Sequence, residues 1–341
     1  MGIRSRTVEV LSTSPLRAPL RWVHDRLRDP LLILAYHRVM PIPDSDSYPF
    51  DLELISASPE QFEVQMAYLR EHFNPISLSE VVRHVVDGIT LPPRPVVVTF
   101  DDGYDDNLHF AGPILKKQGI VPTIFLSTDY VGANQPYWFE MVVYLMMRVP
   151  PQSILLPGTQ TLLPAGASPA ERRASAGALQ EALKRLPQKA MMELLSGWRE
   201  EFAAYIEASE FRLSRVLDWD QVRAMDADGF EFGSHSKSHA VLANLDEATL
   251  REELHDSRMC LEKELGHPVK TLAYPVGKSF AFSDTVQRVA RDCGYVIGTA
   301  YISGVNWLGQ LRTFDMRRHN VERYHPTRRF YAMTAVPNWV L

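Results

Sequence analysis

The sequence predicts an α/β fold in which parallel strands and helices alternate and close into a barrel. The first observation is that short apolar runs rich in β-branched residues alternate with helical patterns that end at glycine. The second is that polar candidate residues come directly after the predicted strands. In a (β/α) barrel the active site forms at the C-terminal ends of the strands, so this placement favours a barrel over an open doubly wound sheet. The sequence also has no glycine-rich nucleotide fingerprint.

The individual elements follow from local patterns. The predicted strands are 31–36, 96–100, 123–127, 230–234, 271–274 and 295–300. The first helix has the clearest start, because Ser58 is a good N-cap, Pro59 suits the first position and Gln61 completes a capping box. The later barrel helices are predicted at 79–86, 110–118, 219–228, 245–265 and 283–293.

The strand–helix alternation is interrupted once. Residues 131–215 contain an apolar segment (137–147), a Pro/Gly/Ala-rich linker (150–168) and two helical patterns, 170–186 and 188–205. Because the alternation resumes afterwards, we interpret 131–215 as an insertion and not as a separate folding unit. We therefore predict an N-terminal extension (1–30), a barrel with this helical insertion (31–315) and a C-terminal tail (316–341).

The composition argues against some classes of binding partner and predicts a cellular compartment. A net charge of −5 and a pI near 6.1 give no basic excess for neutralising phosphates, which argues against nucleic acid as the main partner. Cys260 and Cys293 are too few for a disulfide framework. No secretory signal and no run of about 20 apolar residues is visible, so we expect a cytoplasmic protein, with a peripheral membrane contact left open. The sequence does not predict the oligomeric state.

Two adjacent carboxylates, Asp101 and Asp102, follow the predicted strand 96–100. Like charges side by side at the end of a buried strand are costly unless a cation or hydrogen bonds hold them. Gly103 then permits a tight turn and a close approach to the backbone. The alternative is a solvated turn, in which Asp and Gly are ordinary residues.

His235 and His239 follow the strand 230–234 with a spacing of four residues. On a helical turn two such imidazoles face the same way and can share one metal ion. The pair alone is weak evidence, but this chain also offers strand-end aspartates. Two imidazoles and one carboxylate leave open positions on a divalent metal, which water activation requires.

These motifs together resemble a known family. Thr99-Phe-Asp-Asp-Gly-Tyr104, Gly233-Ser-His-Ser-Lys-Ser-His239 and Ala273-Tyr-Pro-Val-Gly277 resemble the polysaccharide deacetylases with a NodB homology domain, carbohydrate esterase family 4. Leu34-Ala-Tyr-His-Arg-Val39 resembles the "YHxV" opening of the subgroup that includes exopolysaccharide and biofilm poly-N-acetylglucosamine deacetylases. The resemblance covers about residues 31–130 and 215–310.

The resemblance implies a distorted (β/α) barrel of the NodB type that hydrolyses N-acetyl groups of amino sugars with a divalent metal, most often zinc. It implies that Asp102, His235 and His239 are the metal ligands. Asp101 is then the general base for the attacking water, and the backbone N–H of Tyr104 helps to bind the oxyanion.

The general acid has two candidates in this chain, and the motif arginine is missing from its usual position. The subgroup motif implies His37 as the acid for the leaving amine, with His319 as the competing candidate and a purely structural histidine as the alternative for His37. Many members also carry an arginine that orients the catalytic aspartate, but the matching position here is Ala273. We therefore expect Asp101 to be less firmly held and less acidic, unless another basic residue such as Lys278 substitutes.

The resemblance implies a metal-dependent deacetylase of an N-acetylated amino-sugar polysaccharide or its precursor. An amidase of the same fold acting on a small non-sugar amide and a catalytically inactive glycan-binding protein are the alternatives. The apolar segment 137–147 is interpreted as a core helix of the insertion. Its alternative is an apolar surface that faces a lipid-linked glycan at a membrane. Because the insertion follows a strand, it should lie on the active-site face of the barrel.

Overall fold

The computed structural model describes residues 30–150, 153–155, 157, 162–164, 166 and 168–335. Most of its strands belong to one large central sheet. The strands are β1 (Pro30–Tyr36), β2 (Arg38–Val39), β3 (Ile55–Ala57), β4 (Asn74–Pro75), β5 (Pro95–Phe100), β6 (Thr123–Leu126), β7 (Ser153–Leu155), β8 (Leu162–Pro164), β9 (Glu231–Ser234), β10 (Thr271–Ala273), β11 (Ile297–Thr299), β12 (Asn306–Trp307) and β13 (His319–Asn320).

The helices surround this sheet and form the insertion. They are α1 (Pro59–His72), α2 (Leu78–Asp87), α3 (Gly112–Gln118), α4 (Trp138–Arg148), α5 (Pro169–Leu183), α6 (Gln188–Glu201), α7 (Trp219–Ala227), α8 (Glu247–Leu265), α9 (Asp284–Asp292) and α10 (Thr327–Ala335). Within the described part of the chain, none of them has the length and apolar character needed to cross a bilayer.

The central sheet has the order β11-β10-β9-β6-β5-β1, and every neighbouring pair in this series is parallel. At β1 the sheet is extended by β12, which is antiparallel, and by β13, which is parallel. The register pairs Tyr36 with Phe100 and Leu126 with Ser234, so the C-terminal ends of these strands meet at one edge. The predicted distorted (β/α) barrel is confirmed.

The strands are buried on both faces, which explains why they read as continuous apolar runs. In β5, Val96, Val98 and Phe100 pack in the cluster that contains residues of α1, whereas Val97 packs in the cluster shared with Phe125 of β6. The capping box predicted at Ser58 is present at the start of α1. A π-helical turn, Asn107–Ala111, comes directly before α3.

The insertion packs as a helical layer on the barrel. Helix α4 is buried along nearly its whole length and packs against α5, because its apolar residues occupy the core of the insertion. The interpretation of segment 137–147 as an exposed membrane-facing surface is therefore wrong, and the core-helix interpretation holds. The predicted linker contains a short antiparallel hairpin, β7 with β8.

A buried carboxylate ties this helical layer to the barrel. Glu140 of α4 accepts hydrogen bonds from the Asp51 N–H (2.7 Å) and the Ser214 hydroxyl (3.1 Å), and its Oε1 lies 3.6 Å from Nη1 of Arg38. Burial raises the pKa of Glu140 to about 7, although the Arg38 guanidinium opposes this shift. The connection fixes the position of Asp51, whose side chain borders the cavity described below.

The segment predicted as a C-terminal tail is part of the barrel over its described residues. Strand β13 pairs with β1, and α10 packs Phe330 and Met333 into the core that also holds α1. Over residues 316–335 the predicted tail is therefore integrated into the sheet and the core, which the sequence does not reveal because a two-residue polar strand has no periodicity. The predicted N-terminal extension lies outside the described residues apart from Pro30, as do residues 336–341.

The packing of α10 gives a first prediction. Phe330→Ala removes a fully buried ring and leaves a cavity, so the free energy of unfolding should fall by about 3–5 kcal/mol. The control, Val86→Ala, changes a side chain that is 56% exposed and should cost less than about 0.5 kcal/mol. Urea-induced unfolding measures both. Equal values for the two variants would show that α10 does not share the barrel core.

Candidate functional site

Three side chains from two strand ends converge at the C-terminal edge of the sheet. Asp102 follows β5, and His235 and His239 follow β9. Their potential ligand atoms all lie within 4.8 Å of one another, and all three residues are buried. Asp102 Oδ1 is 3.6 Å from His235 Nε2 and 3.4 Å from His239 Nε2, yet it has no hydrogen-bond partner. A buried, unpaired carboxylate oxygen that faces two imidazole nitrogens fits a shared divalent cation.

The backbone around these residues adopts conformations that side chains rarely tolerate. Asp102, Ser236 and His239 have left-handed φ values of 68°, 63° and 56°. Gly103 also has φ 68°, and a Cβ atom there would collide with the side chain of Leu126, so glycine is required for the turn. Each left-handed non-glycine residue costs of order 1–3 kcal/mol, and their concentration at one point is typical of a functional site.

His235 is oriented by a hydrogen bond on the far side of its ring. Its Nδ1–H donates to the carbonyl oxygen of Ala273 at 2.8 Å, which leaves Nε2 free to face Asp102. Such a bond fixes both the ring orientation and the tautomer that a metal ligand needs. Burial lowers the pKa of His235 to about 4, so the neutral imidazole is the stable form at neutral pH.

His239 is held by aromatic residues of the insertion, which the sequence analysis did not assign to the site. Its ring centre lies 5.3 Å from that of Tyr137 and 4.9 Å from that of Phe139. The Tyr137 hydroxyl also donates to the backbone carbonyl of Asp102 at 2.7 Å. The start of the insertion therefore supports two of the three candidate ligands. The available sequence signal was the position of these aromatics soon after a strand.

Asp101 is paired with a buried arginine that the sequence analysis missed. Arg318 Nη1 and Nη2 donate to the two carboxylate oxygens of Asp101 at 2.6 and 2.8 Å. The guanidinium is completely buried and also donates to the Ala300 carbonyl (3.1 Å) and the Thr99 hydroxyl (3.2 Å). Burial alone raises the pKa of a carboxyl, but Arg318 outweighs it and lowers the pKa of Asp101 to about 2.

This pairing decides between two expectations. Asp101 was expected to be less firmly held and less acidic unless a basic residue elsewhere replaced the motif arginine missing at Ala273, and Arg318 is that residue, in a bidentate pair. Lys278, the suggested substitute, does not take this place, because its ammonium lies 3.5 Å from Glu181 instead. The arginine comes from the segment that was interpreted as a tail.

The candidate ligands and Asp101 open onto a cavity of about 320 Å³. Barrel and insertion both contribute to its wall, which agrees with the expectation that the insertion lies on the active-site face. The lining residues are His37, Asp51, Glu53, Leu54, Asp101, Asp102, Trp138, Phe139, Gln180, Lys184, His235, His239, Val276, Lys278, Tyr301, Asn320 and Glu322.

The structure separates the two candidates for the general acid. His37 is half-buried, lines the cavity and stands edge-on to Tyr301 with a ring distance of 5.2 Å. His319 is buried beside Leu34 in the sheet and is not among the lining residues. Its two neighbours point the other way, because successive side chains of an extended segment lie on opposite faces. Arg318 binds Asp101, and Asn320 lines the cavity.

Tyr104 lies beside the site but does not line the cavity. Its phenol is buried, and the hydroxyl donates to Glu140 Oε1 at 3.3 Å. Tyr104 also forms an isolated antiparallel β-bridge with Val216. Its two hydrogen bonds use the N–H of Asp105 and the carbonyl of Gly103, so the Tyr104 N–H takes part in neither. The oxyanion role of this N–H stays a prediction.

Comparison with known proteins gives a family match over much of the chain. A family model described as polysaccharide deacetylase matches residues 88–153 and 168–298. The putative polysaccharide deacetylase YxkH of Bacillus subtilis is 32% identical over 74 residues, which cover 21% of this chain and 26% of the relative. The poly-beta-1,6-N-acetyl-D-glucosamine N-deacetylase of Staphylococcus aureus is 30% identical over 118 residues, 33% of this chain and 40% of the relative. The alignments thus span less than half the length of these curated relatives.

Solved structures share the fold over nearly the whole chain. The Streptococcus pyogenes deacetylase PplD, in complex with acetate, superimposes with a TM-score of 0.58 at 18% identity, covering 89% of this chain and 96% of its own. IcaB from Ammonifex degensii gives a TM-score of 0.56 at 19% identity, with 90% and 98% covered. At these identities the similarity establishes the fold.

The burial of His319 gives a prediction for pH dependence. Burial lowers its pKa from 6.5 to about 4, so between these values the unfolded chain binds a proton that the folded chain does not. The stability that the neutral imidazole contributes is complete above pH 6.5 and is lost as the pH falls towards 4.

At pH 5 the loss attributable to His319 should be about 2 kcal/mol. Urea unfolding at pH 7.5 and pH 5 measures it, and His319→Leu should show a pH-dependent loss that is smaller by this amount. Identical losses in the two proteins would show that His319 is not held neutral in the fold.

Proposed function

Because the chain belongs to the polysaccharide deacetylase family, we propose that it is a metal-dependent hydrolase that removes N-acetyl groups from an amino-sugar polysaccharide or its precursor. One observation carries the proposal. Asp102, His235 and His239 converge in a cavity that also exposes Asp101 and His37. The name of the S. aureus relative, a poly-beta-1,6-N-acetyl-D-glucosamine N-deacetylase, supports an amino-sugar polymer as the substrate class.

The three converging side chains would hold the cation. Two imidazoles and one carboxylate suit zinc, with positions left for water and substrate. When bound, the metal would polarise the acetamide carbonyl and increase the acidity of the attacking water. The chain prepares for this role by orienting His235 through Ala273 and His239 through the aromatic rings of the insertion.

In this proposal Asp101 accepts the proton of the attacking water. Arg318 fixes both carboxylate oxygens, so the base cannot rotate away, and each oxygen keeps a lone pair for the proton. As the water oxygen bonds to the carbonyl carbon, charge develops on the carbonyl oxygen. We assign the Tyr104 N–H as one donor to that oxygen.

Breaking the carbon–nitrogen bond requires a proton on the leaving amine. His37, in its protonated form, would supply it from the cavity wall. Its position is fixed by backbone hydrogen bonds, because its N–H donates to the Ser56 hydroxyl (2.9 Å) and its carbonyl accepts from the Asn107 side-chain amide (2.8 Å). Acetate and a free amino sugar are the products.

The principal test is acetate release from N-acetylglucosamine oligomers. Wild-type protein should release acetate, lose activity with a chelator and regain it with zinc. Asp101→Asn should keep its metal but lower kcat by at least about 100-fold, because the base is lost. His239→Ala should lose bound zinc, measured by plasma mass spectrometry, whereas the control His255→Ala on the surface of α8 should retain it.

Wild-type rates in Asp101→Asn would exclude it as the base. Hydrolysis of small amides without acetylated glycans would favour the amidase alternative. Glycan binding without acetate release from any acetylated substrate would favour the inactive binding protein.

A second test separates His37 from His319. His37→Ala should lower kcat for the amide by about 100- to 10,000-fold, since the amine leaves only when protonated. The loss should be much smaller on an aryl acetate, whose phenolate leaves without a proton. His319→Leu should show no such difference between substrates. An equal loss on amide and ester in His37→Ala would contradict the acid role.

A further inference from the structure

Two lysines at the cavity wall are not used by the reaction described above. Lys184 follows the last residue of α5 in the insertion, and Lys278 follows the turn after β10 in the barrel. Both line the same cavity as Asp101 and His235. They approach it from different parts of the chain, so the cavity brings two cations together that the sequence separates.

The two ammonium groups share one carboxylate. Lys184 Nζ lies 2.7 Å and Lys278 Nζ lies 3.5 Å from the same oxygen, Oε1 of Glu181, so the ammonium groups are no more than about 6 Å apart. Two positive charges on one negative charge leave an excess of +1. Only 16% of the Lys184 side chain is exposed, so this charge has lost much of its water and gains most from a second anion.

Among the described residues, none of the other acids of the cavity forms an ion pair with either lysine. Glu53 pairs with Arg323 (3.1 Å), and Glu322 Oε2 lies 3.0 Å from His325 Nε2. The Asp51 carboxylate accepts hydrogen bonds from the Glu53 N–H (2.9 Å) and the Gln180 side-chain amide (3.2 Å), and among the described residues it forms no ion pair with either lysine. Lys184 and Lys278 are the only lysine or arginine side chains among the described residues that line the cavity, and its other charged or titratable lining residues are acids, histidines and one tyrosine.

The chain around the lysine pair is fixed and not a loose surface. The Asn244 side-chain amide donates to the carbonyls of Lys184 and Leu186, both at 2.9 Å. The Arg185 guanidinium lies 3.9 Å from the ring centre of Phe280, two residues after Lys278. These contacts join the end of α5 to the barrel loops, so the chain segments that carry Lys184 and Lys278 are held next to one another.

We propose that Lys184 and Lys278, with Glu181 between them, form a binding site for an anionic group of the substrate. The inference rests on the proposed deacetylase function and narrows its substrate class to acidic amino-sugar glycans. The anion is a carboxylate or a phosphate, since either accepts hydrogen bonds from two ammonium groups. A uronic acid beside the N-acetylated sugar would supply the first, and a sugar phosphate of a precursor would supply the second.

The test compares acidic and neutral substrates. N,N′-diacetylchitobiose is the neutral substrate, N-acetylglucosamine 1-phosphate carries the phosphate, and a glucuronate–N-acetylglucosamine disaccharide carries the carboxylate. The wild type should prefer one acidic substrate, and the preferred one identifies the anion. In Lys184→Met/Lys278→Met the ratio of kcat/KM between acidic and neutral substrates should fall at least tenfold, through KM. Glu181→Gln should raise the same ratio, because it removes the competing carboxylate.

Lys189→Met is the matched control. Lys189 lies on α6, 90% exposed and 4.0 Å from Glu193, and does not line the cavity. Its removal should leave the ratio unchanged. An unchanged ratio in the double-lysine variant, or equal losses on acidic and neutral substrates, would overturn the proposal.

Calorimetric titration with inorganic phosphate and with glucuronate keeps the two proposals distinguishable. One outcome is that the protein releases no acetate but binds one of these anions, with at least tenfold lower affinity in the double-lysine variant. This would contradict the deacetylase proposal and support the anion site. A protein that releases acetate without any such difference in binding or in the substrate ratio would retain the activity and lose the anion site.

Discussion

The ion pair between Asp101 and Arg318 is the interaction on which the catalytic edge of this barrel depends. Both residues are almost completely buried, and the guanidinium contacts both carboxylate oxygens. Removing either partner of such a pair leaves an uncompensated buried charge, which costs about 3–5 kcal/mol. Because Arg318 lies directly before β13, the pair also connects the C-terminal segment to the end of β5. The pair thus links the integrity of the fold to the position of Asp101, the proposed general base.

The candidate metal ligands depend on a second set of contacts, between barrel and insertion. Asp102 and His239 adopt left-handed backbone conformations that are unfavourable for these residues, so surrounding structure has to impose them. The Tyr137 hydroxyl binds the Asp102 carbonyl, and the rings of Tyr137 and Phe139 pack on His239. The insertion is therefore part of the site and not an appendage, since it stabilises the geometry that the barrel strands alone leave strained.

The sequence predicted what local patterns encode and missed what only tertiary contacts create. Asp101, Asp102, His235 and His239 were identifiable as candidates because they follow predicted strands and lie in motifs that resemble a known family. Arg318 was not, since a two-residue strand has no periodicity and an arginine in a polar stretch looks like surface. Arg318, more than 200 residues from Asp101 in the chain, takes the place of the motif arginine. A single sequence gives no sign of such a replacement. For the same reason His319, adjacent to Arg318, remained a competitor of the favoured His37 in the sequence, and its burial in the sheet became visible only in the structure.

The two neighbouring aspartates illustrate how the fold assigns different chemistry to identical side chains. Asp101 receives a permanent cation from the chain, which keeps it ionised and immobile. Asp102 faces the imidazoles of His235 and His239, and burial lowers the pKa of His235 to about 4. Among the described residues no lysine or arginine forms an ion pair with the Asp102 carboxylate. A buried carboxylate in that condition is unfavourable unless a cation from solution completes it. Within the described part of the chain Arg318 pairs with Asp101 and not with Asp102, and this asymmetry fits a metal ion as the partner of Asp102.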